Sequence, residues 1–129
     1  MARPKSTRPT DVELEILKAL WEQGPSTVRE VMETLSRQRR VGYTTVLKML
    51  QIMTEKGLVV RDERHRAHVY RSREKQHAVV GKLVGDMVER VFDGSGRQLV
   101  LHILEQKRAT PEELAEIRAL LDDAERRGK

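Results

Sequence analysis

Between residues 10 and 72, two helix-start signals and a third periodic stretch are followed by a switch to an extended pattern, and that order leaves few folds open. Thr10 with Glu13 three residues later makes a capping box, which satisfies two orphan backbone donors just before Val12, Ile16, Leu17, Leu20 and Trp21 recur at helical spacing. Gly24-Pro25 closes this helix. Thr27 with Glu30 repeats the box and opens a short helix with Val28, Val31, Met32 and Leu35 as its buried stripe. A third helix spans Tyr43 to Lys56, with Val46, Met49, Leu50 and Met53 inward and Gly57 as its stop. Thr44, Thr45, Lys48 and Gln51 then share the outward face. Leu58-Val59-Val60 and Val69-Tyr70 flank the charged segment 61–68 and predict a β-hairpin with a basic tip. Three helices and a hairpin, in that order, is the plan of a winged helix, in which the third helix enters the major groove and the hairpin meets the adjacent backbone.

The remainder has a different texture. Val79, Val80, Leu83, Val84, Met87, Val88, Val91 and Phe92 lie along one long helix, and Asp93-Gly94-Ser95-Gly96 breaks it. Ser95 caps a further helix carrying Leu99, Val100, Leu101, Ile103 and Leu104. Thr110-Pro111-Glu112-Glu113 starts the last one, with Leu114, Ile117, Leu120 and Leu121 on a single face. These stripes are wider than the small domain before them can cover, so a second copy of the chain is the natural cover. Leu83, Met87, Val91, Phe92, Leu99, Val100, Ile103, Leu104, Leu114, Ile117 and Leu121 are the expected dimer core. The expected fold is therefore mainly α with a small β-hairpin wing. A flexible basic arm over 1–9 precedes an N-terminal winged helix-turn-helix domain over 10–72, and a C-terminal three-helix dimerisation domain fills 73–129.

Charge divides the chain in the same way. Residues 1–72 hold 14 basic and 9 acidic side chains, whereas residues 73–129 hold 11 of each, so the whole net charge of +5 belongs to the first part. A basic first part facing a neutral second part points to a polyanionic partner for the first alone. The 129 residues contain no cysteine, which excludes disulfides and Cys-ligated metal. No apolar run approaches the length of a membrane span and no signal peptide is evident, so a cytoplasmic protein without direct membrane insertion is expected.

Chemistry-bearing constellations favour binding over catalysis. On the third helix, Thr44 and Thr45 suit thymine methyls and base edges, Lys48 reaches guanine or phosphate, and Gln51 completes the face. Arg40 ends the basic approach to that helix, and Tyr43 at its start either packs over a phosphate or caps the core. In the hairpin, Arg64 and Arg66 are the expected backbone contacts, although Asp62 and Glu63 dilute the field. His65 and His68 with Glu63 do not converge on a metal, because strand residues three apart face opposite sides. No HExxH, Walker or GxGxxG motif is present, Gly94-Ser95-Gly96 lacks the preceding strand of a nucleophile elbow, and neither an enzyme nor a cofactor is expected. RNA binding predicts exposed aromatic platforms, which four aromatic residues, Trp21 and Phe92 among them on apolar faces, hardly supply. The alternative from another class is a winged-helix module that docks on protein without binding DNA.

Glu13-Leu14-Glu15-Ile16-Leu17 with Trp21, Gly42-Tyr43-Thr44-Thr45-Val46 followed by Glu55-Lys56-Gly57-Leu58, and the stretch from Phe92 to Glu105 together resemble the penicillinase repressors, the BlaI/MecI family of winged-helix regulators. That resemblance implies a homodimeric repressor on palindromic duplex operators, relieved when a membrane-bound sensor metallopeptidase causes its cleavage. It places Leu47 on the DNA-facing helix at a position where a polar or basic residue can occur, and Val41 where the family often has Trp. It also places the cleavage between His102 and Ile103, with His102 standing where the family has Asn. The cysteine-rich tail of the copper-responsive relatives is missing.

Overall fold

The computed structural model describes residues 8–106 and 109–128, so residues 1–7 of the expected arm lie outside the described residues. Both boxes form as expected. In α1 (Asp11–Gln23) the Glu13 N–H donates to Thr10 Oγ1 at 3.2 Å and the Thr10 N–H donates to Glu13 Oε1 at 2.9 Å. Gly24 turns the chain at φ 79°, a conformation open to glycine at little cost. Ser26 and Thr27 then form a strand, β1 (Ser26–Thr27), before Thr27 caps α2 (Val28–Leu35). This strand is a correction to the sequence reading, which saw only the cap; two residues are too few to show any alternation.

The third helix, α3 (Tyr43–Lys56), has the expected bounds. Gly57, at φ 80°, stops it, while the Leu58 N–H donates back to Met53 O at 2.9 Å. Leu58 is thereby spent on the helix stop, so β2 (Val59–Asp62) starts one residue later than expected and runs to Asp62, while β3 (Val69–Ser72) starts where expected and runs two residues further. Arg61 and Asp62 consequently lie in a strand, and the turn of the wing is 63–68. Arg61 pairs with Tyr70 and Asp62 with Val69, while on the other side of β3 Ser26 pairs with Tyr70 and Thr27 with Val69. The hairpin is thus part of a three-stranded antiparallel sheet in the order β1-β3-β2.

One core closes these elements. Ile16, Leu17 and Leu20 of α1, Val28, Val31 and Leu35 of α2, Val46, Leu50 and Met53 of α3, and Val59 and Tyr70 of the sheet are all buried and mutually packed. Two polar ties hold its edges. The Trp21 indole N–H donates to Ser72 Oγ at 2.9 Å and to Glu74 O at 3.3 Å. Lys56 Nζ, at the end of α3, donates to Glu13 Oε1 at 2.6 Å and to the Arg8 carbonyl at 3.2 Å. Glu13 is only 4% exposed, so this cation neutralises a carboxylate that would otherwise be costly to bury.

The chain separates into two compact units, Met1–Leu83 and Val84–Lys129. The helix α4 (Gln76–Val91) begins in the first, where Val79 packs on the core, and ends in the second. In the second unit, Asp93 and Gly94 take left-handed conformations and break the chain before α5 (Gly96–Gln106), whose Gln98 N–H donates to Ser95 Oγ. A complete capping box at Thr110 and Glu113 opens α6 (Pro111–Arg127). Among the described residues no helix is long and apolar enough to cross a membrane.

Candidate nucleic-acid interface

Helical geometry makes the α3 surface. With Val46, Leu50 and Met53 committed to the core, a 3.6-residue period turns Thr44, Thr45, Lys48 and Gln51 outward, and all four are exposed. No acidic residue occurs in α3 before Glu55. Unlike α1, α2 and α6, α3 has no side-chain cap: its N-cap is Gly42, so the first-turn amides stay open to an external acceptor. Tyr43 at the first position is 48% exposed, which settles its sequence ambiguity against capping the core. Leu47 differs from its neighbours, being half-buried against the core, so only its edge is available to a ligand.

Around α3 the cations fall into two sets. Arg39, in the connection from α2, is held by Glu15 of α1 at 2.9 Å, whereas Arg40 beside it is exposed with no ion pair among the described residues. Lys48 is likewise unpaired there. In the wing, Arg61 Nη2 lies 3.1 Å from Glu63. Arg64 is clipped to Asp62 more fully. Its Nε donates to Oδ1 at 3.0 Å, its Nη2 to Oδ2 at 2.8 Å, and its backbone N–H to Oδ1 at 3.0 Å. The Arg64 hydrogen bonds hold the Asp62 carboxyl far below the usual carboxylate range, and the same contact raises the Arg64 guanidinium. Arg66 has no such partner among the described residues. Of the two arginines expected to serve the wing, then, the structure leaves Arg66 open and finds Arg64 occupied.

Between the start of α2, the start of α3 and the end of the wing turn lies a groove of about 450 Å³, lined by Thr27, Val28, Arg29, Tyr43, Leu47, Ala67, His68 and Tyr70. Arg29 and His68 join Tyr43 and Leu47 here without having been nucleic-acid candidates from sequence, where His68 was weighed only as a metal ligand. Only the box at Thr27, which sets Arg29 on the first turn of α2, hints at Arg29, and nothing local marks His68.

The second unit presents a different surface. None of α4, α5 or α6 contains a buried residue. Met87, Val91, Val100, Ile103, Leu104 and Leu121 are exposed, with Val91 at 64%, while Leu83, Phe92, Leu99, Leu114 and Ile117 are half-buried. The bond between His102 and Ile103 lies inside α5, and both residues are exposed in the single chain. The His102 ring meets Phe92 at 6.0 Å between centroids.

Against this geometry stand the comparisons with known proteins. A family model described as penicillinase repressor matches residues 9–123. The transcriptional regulator BlaI of Mycobacterium tuberculosis is 36% identical over 104 residues, covering 79% of this chain and 75% of that protein. The penicillinase repressor of Bacillus licheniformis is 25% identical over 120 residues, 93% of this chain and 94% of that one. A solution structure of the monomeric form of Bacillus licheniformis BlaI, in complex with the blaP half-operator, is similar at a TM-score of 0.46 and 26% identity, covering 57% of this chain and 85% of that chain.

Proposed function

The chain belongs to the penicillinase repressor family, and from that premise we propose that it represses transcription as a homodimer whose two α3 helices read a palindromic duplex operator. It is a DNA-binding transcriptional repressor and not an enzyme. The observation that carries the reading is the exposed face of α3, polar, free of acid up to Glu55 and uncapped at its start. Thr44, Thr45, Lys48 and Gln51 meet base edges, with Tyr43 and the edge of Leu47 at the groove wall. Arg40 and Arg66 meet phosphate on either side. Residues 10–72 supply the DNA-binding domain and residues 73–129 the dimerisation domain, whose apolar faces support a second copy as cover.

Selection of bound duplexes from a random library tests this. The expected result is a two-fold symmetric sequence with half-sites about 34 Å apart or a multiple of one helical turn. With roughly 4 to 6 phosphates met by each protomer, the log–log salt slope on that operator is about −7 to −11. A protein that retains no duplex at low salt would instead be a protein-docking module.

Release follows from the same arrangement. A membrane-bound sensor metallopeptidase is the partner whose signal leads to cleavage between His102 and Ile103. The cut detaches Ile103, Leu104 and all of α6 from the dimer core, so the two half-site contacts lose their linkage and operator affinity falls. Because that bond is helical, the cut requires local unfolding of α5 or a helper that opens the dimer. A fragment ending at His102 that dimerises and holds operator like the intact chain would refute this route.

A further inference from the structure

Asp62 has no place in the reading of the interface so far, yet it is the best-connected side chain of the wing. As the last residue of β2 it accepts the Arg64 backbone N–H, which shapes the turn, and it binds the Arg64 guanidinium through both carboxylate oxygens. Arg64 is 85% exposed on its side chain, so the solvent-facing arginine at the turn is paired before any ligand arrives. Arg61 is paired as well, with Glu63. Within the turn 63–68 the remaining arginine is Arg66, which has no carboxylate partner among the described residues.

We propose that Asp62 is an electrostatic attenuator of duplex binding: it keeps Arg64 clipped within the wing when DNA is bound, so that within the turn Arg66 is the guanidinium offered to the phosphate backbone. The proposal rests on the DNA-binding reading above and specifies how its sequence-independent part is limited. Phosphate contacts add affinity to every duplex alike. A repressor whose wing offered both arginines would therefore spend more of its copies on random DNA. A carboxylate at the root of the turn removes one of them and adds a repulsive charge near the backbone. The same carboxylate has a second role, because its oxygen holds the turn.

Asparagine separates the two roles, since its carbonyl oxygen still accepts the Arg64 N–H while the charge is lost. Full-length wild type, Asp62→Asn, Arg66→Gln and the double variant Asp62→Asn with Arg64→Gln are to be titrated against the selected operator and a random duplex over a salt series. Asp62→Asn is expected to bind both duplexes about tenfold more tightly at low salt, with the dimer's salt slope steeper by about 2. The double variant, which keeps the wild-type net charge, is expected to bind as wild type does. Arg66→Gln is expected to weaken both duplexes and flatten the slope. Loss of affinity in the double variant comparable with that of Arg66→Gln would show Arg64 on phosphate in the complex and overturn the proposal, as would an Asp62→Asn protein of unchanged affinity and unchanged melting. If Asp62→Asn melts early, the double variant against Arg66→Gln still decides. Wild type binding neither duplex would instead overturn the DNA-binding reading on which the proposal stands.

Discussion

The two units of this protein use the same local devices and reach opposite ends. Complete capping boxes start α1 and α2 in the first and α6 in the second. Apolar residues recur at helical spacing in both. In the first unit those residues meet each other and eleven side chains form a closed core, whereas in the second no residue of α5 or α6 is buried. The difference teaches that an amphipathic helix specifies a face to be covered without specifying what covers it. Where the sheet and three helices supply the cover, the core closes within one chain; the proposed second copy makes the stability of the other unit depend on protein concentration.

The most forceful way to break this contrast is to charge the uncovered faces. Val91→Asp with Ile103→Asp is expected to abolish association in sedimentation and to lower operator affinity by about 10²- to 10⁴-fold. The melting of the first unit should not move, and a simultaneous loss of its fold would mean the units are not independent. Truncation inside each unit gives the next contrast. Leu50→Ala leaves a cavity in a fully buried site and is expected to cost about 2–5 kcal/mol in chemical denaturation. Leu120→Ala, at a position 66% exposed, is expected to cost less than about 0.5 kcal/mol at dilutions where the protein is monomeric.

Smaller effects sharpen the picture. Thr45→Ala or Lys48→Ala is expected to cost about 1–3 kcal/mol on operator and less on random duplex, with no change in self-association. Equal losses on both duplexes would mean that α3 does not read bases. The caps come next. Thr10→Ala and Thr110→Ala remove the same hydrogen bond to the third helical N–H, and each is expected to cost about 1 kcal/mol. The first should appear as a lower melting point at every concentration. The second should appear as weaker dimerisation, and a cap effect at Thr110 without concentration dependence would mean α6 stands on its own.

Much of this was legible in the chain. The capping boxes at Thr10 and Thr27, the helix start at Thr110, the bounds of α3, the stop at Gly57 and the break at Asp93-Gly94 all rest on interactions spanning three to six residues, so sequence neighbours carry the whole signal. The outward position of Thr44, Thr45, Lys48 and Gln51 follows from the same helical period once the apolar residues are assigned inward. The short strand at Ser26 and Thr27 was not legible, because its partners Tyr70 and Val69 lie more than forty residues away and two residues show no period.

Sequence by itself therefore determined the helices, their order, which face of each is apolar, and the excess of positive charge in the first part. Tertiary structure decided which charges remain free. Glu13 reads as half of a capping box, and only folding brings Lys56 from 43 positions away to 2.6 Å of it. Arg39 and Arg40 are neighbours of identical chemistry, yet Glu15 of α1 engages the first and leaves the second exposed. Periodicity is a property of neighbours along the chain, so sequence displays it. Pairing of charges depends on distances of a few ångströms between residues whose separation along the chain sets no such distance, and only packing can set it.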